Sequence, residues 1–128
     1  MSSDRRTTIG RIGERLAAER LEAGGYRIVE RNYRTRDGEL DVIARRGEIL
    51  VFCEVKTLVA RRPGGRGPAY PLEAVRHAKR TKIRRLARAW MGERSGTVSF
   101  RTVRFDAIGV TLSPAGKLLS MEHIESAF

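Results

Sequence analysis

The segment Ile49-Leu-Val-Phe-Cys-Glu-Val-Lys56 constrains this chain more than any other. Its first five residues, Ile49 to Cys53, are the longest uninterrupted apolar run in the sequence. That density of branched and aromatic side chains predicts a strand over Ile49–Lys56 in the centre of a sheet. A strand alternates its side chains. Leu50, Phe52, Glu54 and Lys56 therefore share one face, and Val51, Cys53 and Val55 the other. A carboxylate and an ammonium stand side by side on an otherwise apolar strand, which is costly unless they are paired or bind something.

Neighbouring periodicities supply partners for that strand. Ile9, Ile12, Leu16 and Leu21 form a stripe that predicts a helix over Ile9–Glu22, with Thr8 as its cap and Gly24-Gly25 as its stop. The polar residues 1–8 read as a flexible N-terminal tail. Strands are predicted at Tyr26–Tyr33 and Glu39–Ala44, with a turn over Arg34–Gly38 and a tight connection over Arg45–Glu48. Prolines and glycines mark 60–71 as a mobile basic loop. A second helix is predicted at Leu72–Met91. A fourth strand lies within Thr97–Val110 and a fifth within Lys117–Ile124. Helix, three strands, helix, strand, strand indicates one α/β domain over 1–128, a mixed central sheet flanked by helices.

Charge narrows the partner. Lys and Arg number 26 and Asp and Glu 15, a net +11. From Thr57 to Arg94 eleven basic residues face only Glu73 and Glu93, so that segment carries +9. A concentrated stripe suits a polyanion, because each neutralised phosphate releases counterions. A membrane-surface helix needs a large aromatic and leucine face; Leu72, Leu86 and Trp90 among alanines do not supply it. No apolar run is long enough to cross a membrane, and the first residues lack the apolar stretch of a signal peptide. Cys53 is the single cysteine, which excludes a disulfide-stapled scaffold and a cysteine-rich zinc site. The expectation is a cytoplasmic protein that binds nucleic acid and no membrane.

The candidate chemistry sits on the second and third strands. Glu39 and Asp41 share a face of the second. A two-residue loop at Arg46-Gly47, or a four-residue loop over Arg45–Glu48, would set Asp41 opposite Phe52 and Glu39 opposite Glu54. Glu39, Asp41, Glu54 and Lys56 would then lie on one face. Carboxylates that close repel one another and are best tolerated around a divalent cation; oxygen-only ligation suits Mg2+ or Mn2+. Lys79, four residues from both Val75 and Ile83, falls within the apolar stripe of the second helix, where a lysine is unexpected. Glu14 edges the stripe of the first helix, a position that alone reads as a surface carboxylate. His77 and His123 lack zinc-site spacing and read as surface residues. Asp106 reads as structural or as a strand-end charge near the basic helix, and Trp90 as core, while Tyr33 and Tyr70 are candidates for base stacking.

In order, Gly10-x-x-Gly13-Glu14, Arg31-Asn32-Tyr33-Arg34, Gly38-Glu39-Leu40-Asp41-Val42-Ile43-Ala44, Val51-Phe52-Cys53-Glu54-Val55-Lys56-Thr57, Ala74-Val75-x-x-x-Lys79, Arg104-Phe105-Asp106-Ala107-Ile108 and Ala127-Phe128 form a string. That string resembles the YraN-like uncharacterised bacterial family. The family is placed in the restriction-endonuclease-like superfamily of PD-(D/E)XK nucleases, near the archaeal Holliday-junction resolvases. The resemblance runs from about Gly10 to Phe128. It implies a restriction-endonuclease-like fold of αβββαβ core order and a Mg2+-dependent endonuclease, a hydrolase acting on DNA. Asp41 would be the first metal-binding acid, Glu54 the second and Lys56 the motif lysine. Glu14 would match the first-helix glutamate that joins the metal ligands, and Lys79 the helix lysine. Strands that splay near the site favour Asp41 over Glu39 as ligand. A homodimer is implied as well. Cys53 stands where valine is usual, and Leu58 where arginine is common. Arg61, Arg62 or Arg66 could replace that missing phosphate contact, with Arg76, Arg80, Lys82 and Arg84 completing the nucleic-acid surface. The alternative is a non-catalytic module on the same scaffold that docks DNA or a partner.

Overall fold

The computed structural model describes residues 2–60, 77–94 and 96–128. Its elements are α1 (Ser2–Ala23), β1 (Arg27–Thr35), β2 (Gly38–Arg46), β3 (Ile49–Val59), α2 (His77–Glu93), β4 (Thr102–Leu112) and β5 (Leu118–Ile124). The apolar run of Ile49–Cys53 lies in the middle strand of a five-stranded sheet ordered β1-β2-β3-β4-β5. Pairing is antiparallel between β1, β2 and β3, parallel between β3 and β4, and antiparallel between β4 and β5. The parallel step is the one that needs a crossover, and α2 lies in it. The mixed sheet with helices is the α/β architecture expected from the element order.

The alternation expected for β3 holds. Val51 and Cys53 pack with Ala17 and Leu21 of α1, together with Val42, Ile108 and Val110. Leu50 and Phe52 pack on the other face with Ile83, Leu86, Ala87 and Trp90 of α2. The sheet is thus a layer between two helices, with a core on each face. Each fully buried side chain of this kind contributes about 1.5–3 kcal/mol. Trp90 is core, as expected, and its Nε1 donates to Glu30 Oε1 at 3.0 Å.

Three expectations change. α1 starts at Ser2 rather than near Ile9, because residues 2–8 contain no Gly or Pro to interrupt it; the segment read as a tail is its polar beginning. Its C-terminus is where the glycines place it. Tyr26 N–H donates to Leu21 O (3.0 Å), Gly25 N–H donates to Glu22 O (3.0 Å), and Gly25 has φ 90°. The β2–β3 loop is Gly47-Glu48, not Arg46-Gly47: Gly47 takes the positive φ of 60° and Arg46 stays in the strand opposite Ile49. The register therefore sets Ile43, not Asp41, against Phe52. The slip is even, so every side chain keeps its face. Finally, Tyr33 is buried and its hydroxyl donates to Glu93 Oε1 at 2.7 Å, so it offers no stacking surface. The basic loop, Tyr70 and the start of the second helix fall in 61–76, outside the described residues.

One close approach fixes how α1 meets the sheet. A Cβ on Gly13 would lie 1.8 Å from Thr57 Oγ1 and 2.8 Å from Thr57 Cβ, whereas one on Gly10 would meet nothing within 4 Å. Gly13→Ala is expected to destabilise the fold by about 2 kcal/mol, because helix or strand must give way. Gly10→Ala is expected to stabilise it by up to about 1 kcal/mol through helix propensity. Urea denaturation of both variants checks the pair. Equal effects would show that α1 does not touch β3 at Gly13.

Candidate metal centre

The β2–β3 ladder runs from Arg46↔Ile49 to Val42↔Cys53 and stops. The next pair would be Asp41 against Glu54, two carboxylates on one face. The backbone N–H of Val55 instead donates to Asp41 Oδ2 at 2.8 Å. A side chain has replaced a backbone acceptor, and the strands part there.

Glu14 comes to that gap from α1. Oxygens of Glu14, Glu39 and Asp41 lie within 4.8 Å of one another. α1 reaches this close because residue 13 is glycine. Asn32 of β1 ties the group together. With its amide nitrogen turned toward the carboxylates it donates to Glu39 Oε1 (2.8 Å) and Glu14 Oε2 (2.5 Å). Its φ of 55° is a left-handed conformation that asparagine tolerates better than most residues. Asn32 stands within the Arg31-Asn32-Tyr33-Arg34 motif, which by itself implies no role for it. An asparagine inside a strand pattern is a weak signal on its own; its place opposite Asp41 is set by the β1–β2 register.

Glu54 is buried beside Asp41 and forms a salt bridge with Lys79 of α2. Lys79, expected within the apolar stripe, is exposed except for this partner. A cavity of about 240 Å³ is lined by Gly38, Glu39, Asp41, Glu54, Lys79 and Lys82. Lys56 follows Glu54 on the same face by alternation and is half-buried. Beside Glu54 and Lys56, β4 presents Ala107 and Gly109, which add almost no side-chain bulk to this face. The structure therefore brings Glu14, Asp41, Glu54 and Lys79 together, with Lys56 on the same face. It also adds Glu39, which the resemblance had set aside.

The basic residues of α2 divide. Lys82 reaches the acid cavity and lies across Gly38, where an added Cβ would come within 2.7 Å of Lys82 Cε. Arg80 is exposed. Arg84 stacks over the Phe105 ring, 4.8 Å from its centroid, toward β4. Arg61, Arg62, Arg66 and Arg76 lie outside the described residues.

Electrostatics mark Asp41. Burial, then the charge of Glu54, push its carboxyl up to about 8, against the lowering effect of the Val55 hydrogen bond. Burial and the charge of Glu39 also raise Glu14, although Arg31, Arg34 and Arg11 pull the other way. Asp106 behaves oppositely. It is fully buried, yet hydrogen bonds from His123, Arg104 and the Ser126 N–H outweigh desolvation and lower it. Arg104 grips it with two bonds of 2.8 Å, and His123 Nε2 lies 2.7 Å from Oδ2. His123, expected at the surface, is held in this structural network. Cys53, Asp106 and His123 also cluster. The arginine fork already satisfies that aspartate, and burial raises the Cys53 thiol far above its ordinary range.

Fold and site together define an α/β protein whose central strands part over a group of mutually repelling carboxylates edged by lysines. The sequence profile described as "Uncharacterised protein family UPF0102" matches residues 13–110, and the chain belongs to that family. It is similar to a UPF0102 protein of Frankia alni, 42% identical over 128 residues and spanning the full length of both. A UPF0102 protein of Beutenbergia cavernae is 45% identical over 116 residues, 91% of this chain and 92% of that protein. One from Dictyoglomus turgidum is 38% identical over 120 residues, 94% and 96% of the two. No helix among the described residues is long and apolar enough to cross a membrane.

Asp41 makes the fold weaker as pH rises. The unfolded chain releases its proton near 3.8, while the native state keeps it to about 8, so between those values the native state binds more protons and loses stability. Asp41→Asn keeps an oxygen for Val55 N–H and removes the titration. The variant is expected to melt about 4–8 °C above the wild type at pH 8, corresponding to at least about 1 kcal/mol. The difference should shrink toward pH 4. A gap independent of pH, measured by thermal melts across that range, would show that Asp41 does not titrate in this way.

Proposed function

We propose that this chain is a metal-dependent nuclease of the PD-(D/E)XK superfamily that hydrolyses phosphodiester bonds in DNA. The observation that carries this reading is the placement of Asp41, half-buried and raised in pKa, against Glu14, Glu39 and Glu54 where the sheet opens. Carboxylates gathered at a strand gap cost stability. A hard dication repays that cost, and an all-oxygen donor set fits Mg2+ or Mn2+. Glu14, Glu39 and Asp41 would hold it, with Glu54 entering the donor set once Lys79 releases it. When bound, such an ion supplies hydroxide near neutral pH and offsets charge on the phosphate.

The chain's own groups do the rest. Asp41 surrenders its proton as the site is charged. Lys79 neutralises Glu54 until then. Lys56 donates to the charge that develops on the phosphate or orients the attacking water. Lys82 at the cavity rim and Arg80 outside it meet backbone phosphates. Groups of this kind meet phosphates rather than base edges, so the reading takes selection to be by DNA shape rather than sequence. The same reading places the protein in the cytoplasm with its DNA.

Hydrolysis of branched, flapped and linear DNA with Mg2+ or Mn2+ tests the proposal. Wild type is expected to cut a branched substrate fastest. Asp41→Ala and Glu54→Ala should each lose at least about 100-fold, and Lys56→Ala about as much. Equal trace activity in all four proteins would end the enzyme reading and favour a non-catalytic DNA-binding module.

A further inference from the structure

The charge map of the sequence points to α2 and the loop before it. The structure adds a second cationic surface on the other side of the acids. An open groove of about 860 Å³ lies between α1 and β1, lined by Arg11, Arg15, Arg31, Asn32 and Arg34 with Ile12. Strand alternation would send Arg31 and Arg34, three residues apart, to opposite faces. Asn32 between them has φ 55°, which breaks the alternation, and both line this groove.

Two of these arginines have carboxylate partners: Arg15 pairs with Glu19 at 2.9 Å and Arg34 with Glu39 at 3.3 Å. Arg11 and Arg31 are exposed and form no salt bridge among the described residues. Their charge is felt by Glu14, which places the groove beside the acid cluster. Asn32 belongs to both, since it lines the groove and bonds Glu14 and Glu39. The acids thus lie between two cationic walls, the lysines of α2 and the arginines of α1 and β1.

We propose that this groove is a second phosphate-backbone site, which holds the DNA strand on the α1 side of the acids. The inference rests on the nuclease reading and extends it by locating the substrate's far arm. Arg11 and Arg15 are one helical turn apart, about 6 Å along the axis, and Arg31 and Arg34 about 10 Å apart along the strand. Such a row suits a ligand whose anions repeat. Guanidinium forks match phosphate oxygens two at a time. Continuity with carboxylates suited to phosphodiester chemistry favours nucleic acid over an acidic protein.

The test is fluorescence anisotropy of the full chain on a 30-base-pair duplex and a four-way junction, in EDTA, across a series of KCl concentrations. Removing both unpaired arginines, Arg11→Ala with Arg31→Ala, should flatten the slope of log affinity against log salt by about two. Affinity should fall at least about tenfold at low salt. The Arg11→Lys with Arg31→Lys pair should restore most of the slope. If the alanine pair does not fold, Arg11→Gln alone should lower the slope by about one. Unchanged slope and affinity in these variants would overturn the groove, as would absence of DNA binding by the wild type. Displacement of DNA by poly-glutamate at equal charge would overturn it in favour of an acidic protein. Cleavage does not enter this readout, so a chain that binds through the groove yet cuts nothing refutes the nuclease and leaves the groove standing.

Discussion

The hydrogen bond from Val55 N–H to Asp41 Oδ2 determines where the sheet opens and its carboxylates gather. A regular ladder would have carried β2 and β3 onward, closing the sheet and setting Asp41 against Glu54. A carboxylate that takes the place of a backbone acceptor ends the ladder and opens the sheet, while the freed amide still has a partner. The acid is then held in a desolvated position beside Glu54, where its charged form is unfavourable. That is instability placed at one point of an otherwise well-satisfied fold: among the described residues no buried side-chain polar atom lacks a partner.

Two aspartates, Asp106 buried and Asp41 half-buried, show how neighbours decide the outcome. Asp106 on β4 faces the α1 side, where Arg104, His123 and the Ser126 N–H surround it and favour its charge. Tyr26 accepts from the same arginine, so the network also ties the start of β1 to β4. Asp41 lies where β2 and β3 part, between Glu14 of α1 and Glu54, and has carboxylates for neighbours. The first arrangement is complete and holds strands together. The second is short of positive charge, with Lys79 as a partial remedy through Glu54.

Much of this was legible in the residues. The apolar run at Ile49–Cys53 announced the central strand, and alternation along it assigned both faces correctly, because a period of two survives any even slip of register. Glu54 and Lys79 stood out as charges where apolar groups were due. The hairpin register was missed by one loop position, since several loops fit the same pattern and the positive φ open to Gly47 selected among them. The role of Asn32 was not legible. It depends on a left-handed backbone and on a helix brought near by Gly13, both of which are tertiary. Charge counting along the chain likewise hid the Arg11–Arg34 groove, because its arginines come from two elements, each interleaved with acids.

The central claim is that Glu14, Glu39 and Asp41 converge to bind a hard dication. A crystal of the wild-type protein soaked in Mn2+ and recorded at the manganese absorption edge tests it directly. The account expects one strong anomalous peak among those three carboxylates, with Lys79 withdrawn from Glu54. No peak at saturating Mn2+, or a peak only beside Cys53, Asp106 and His123, would contradict it.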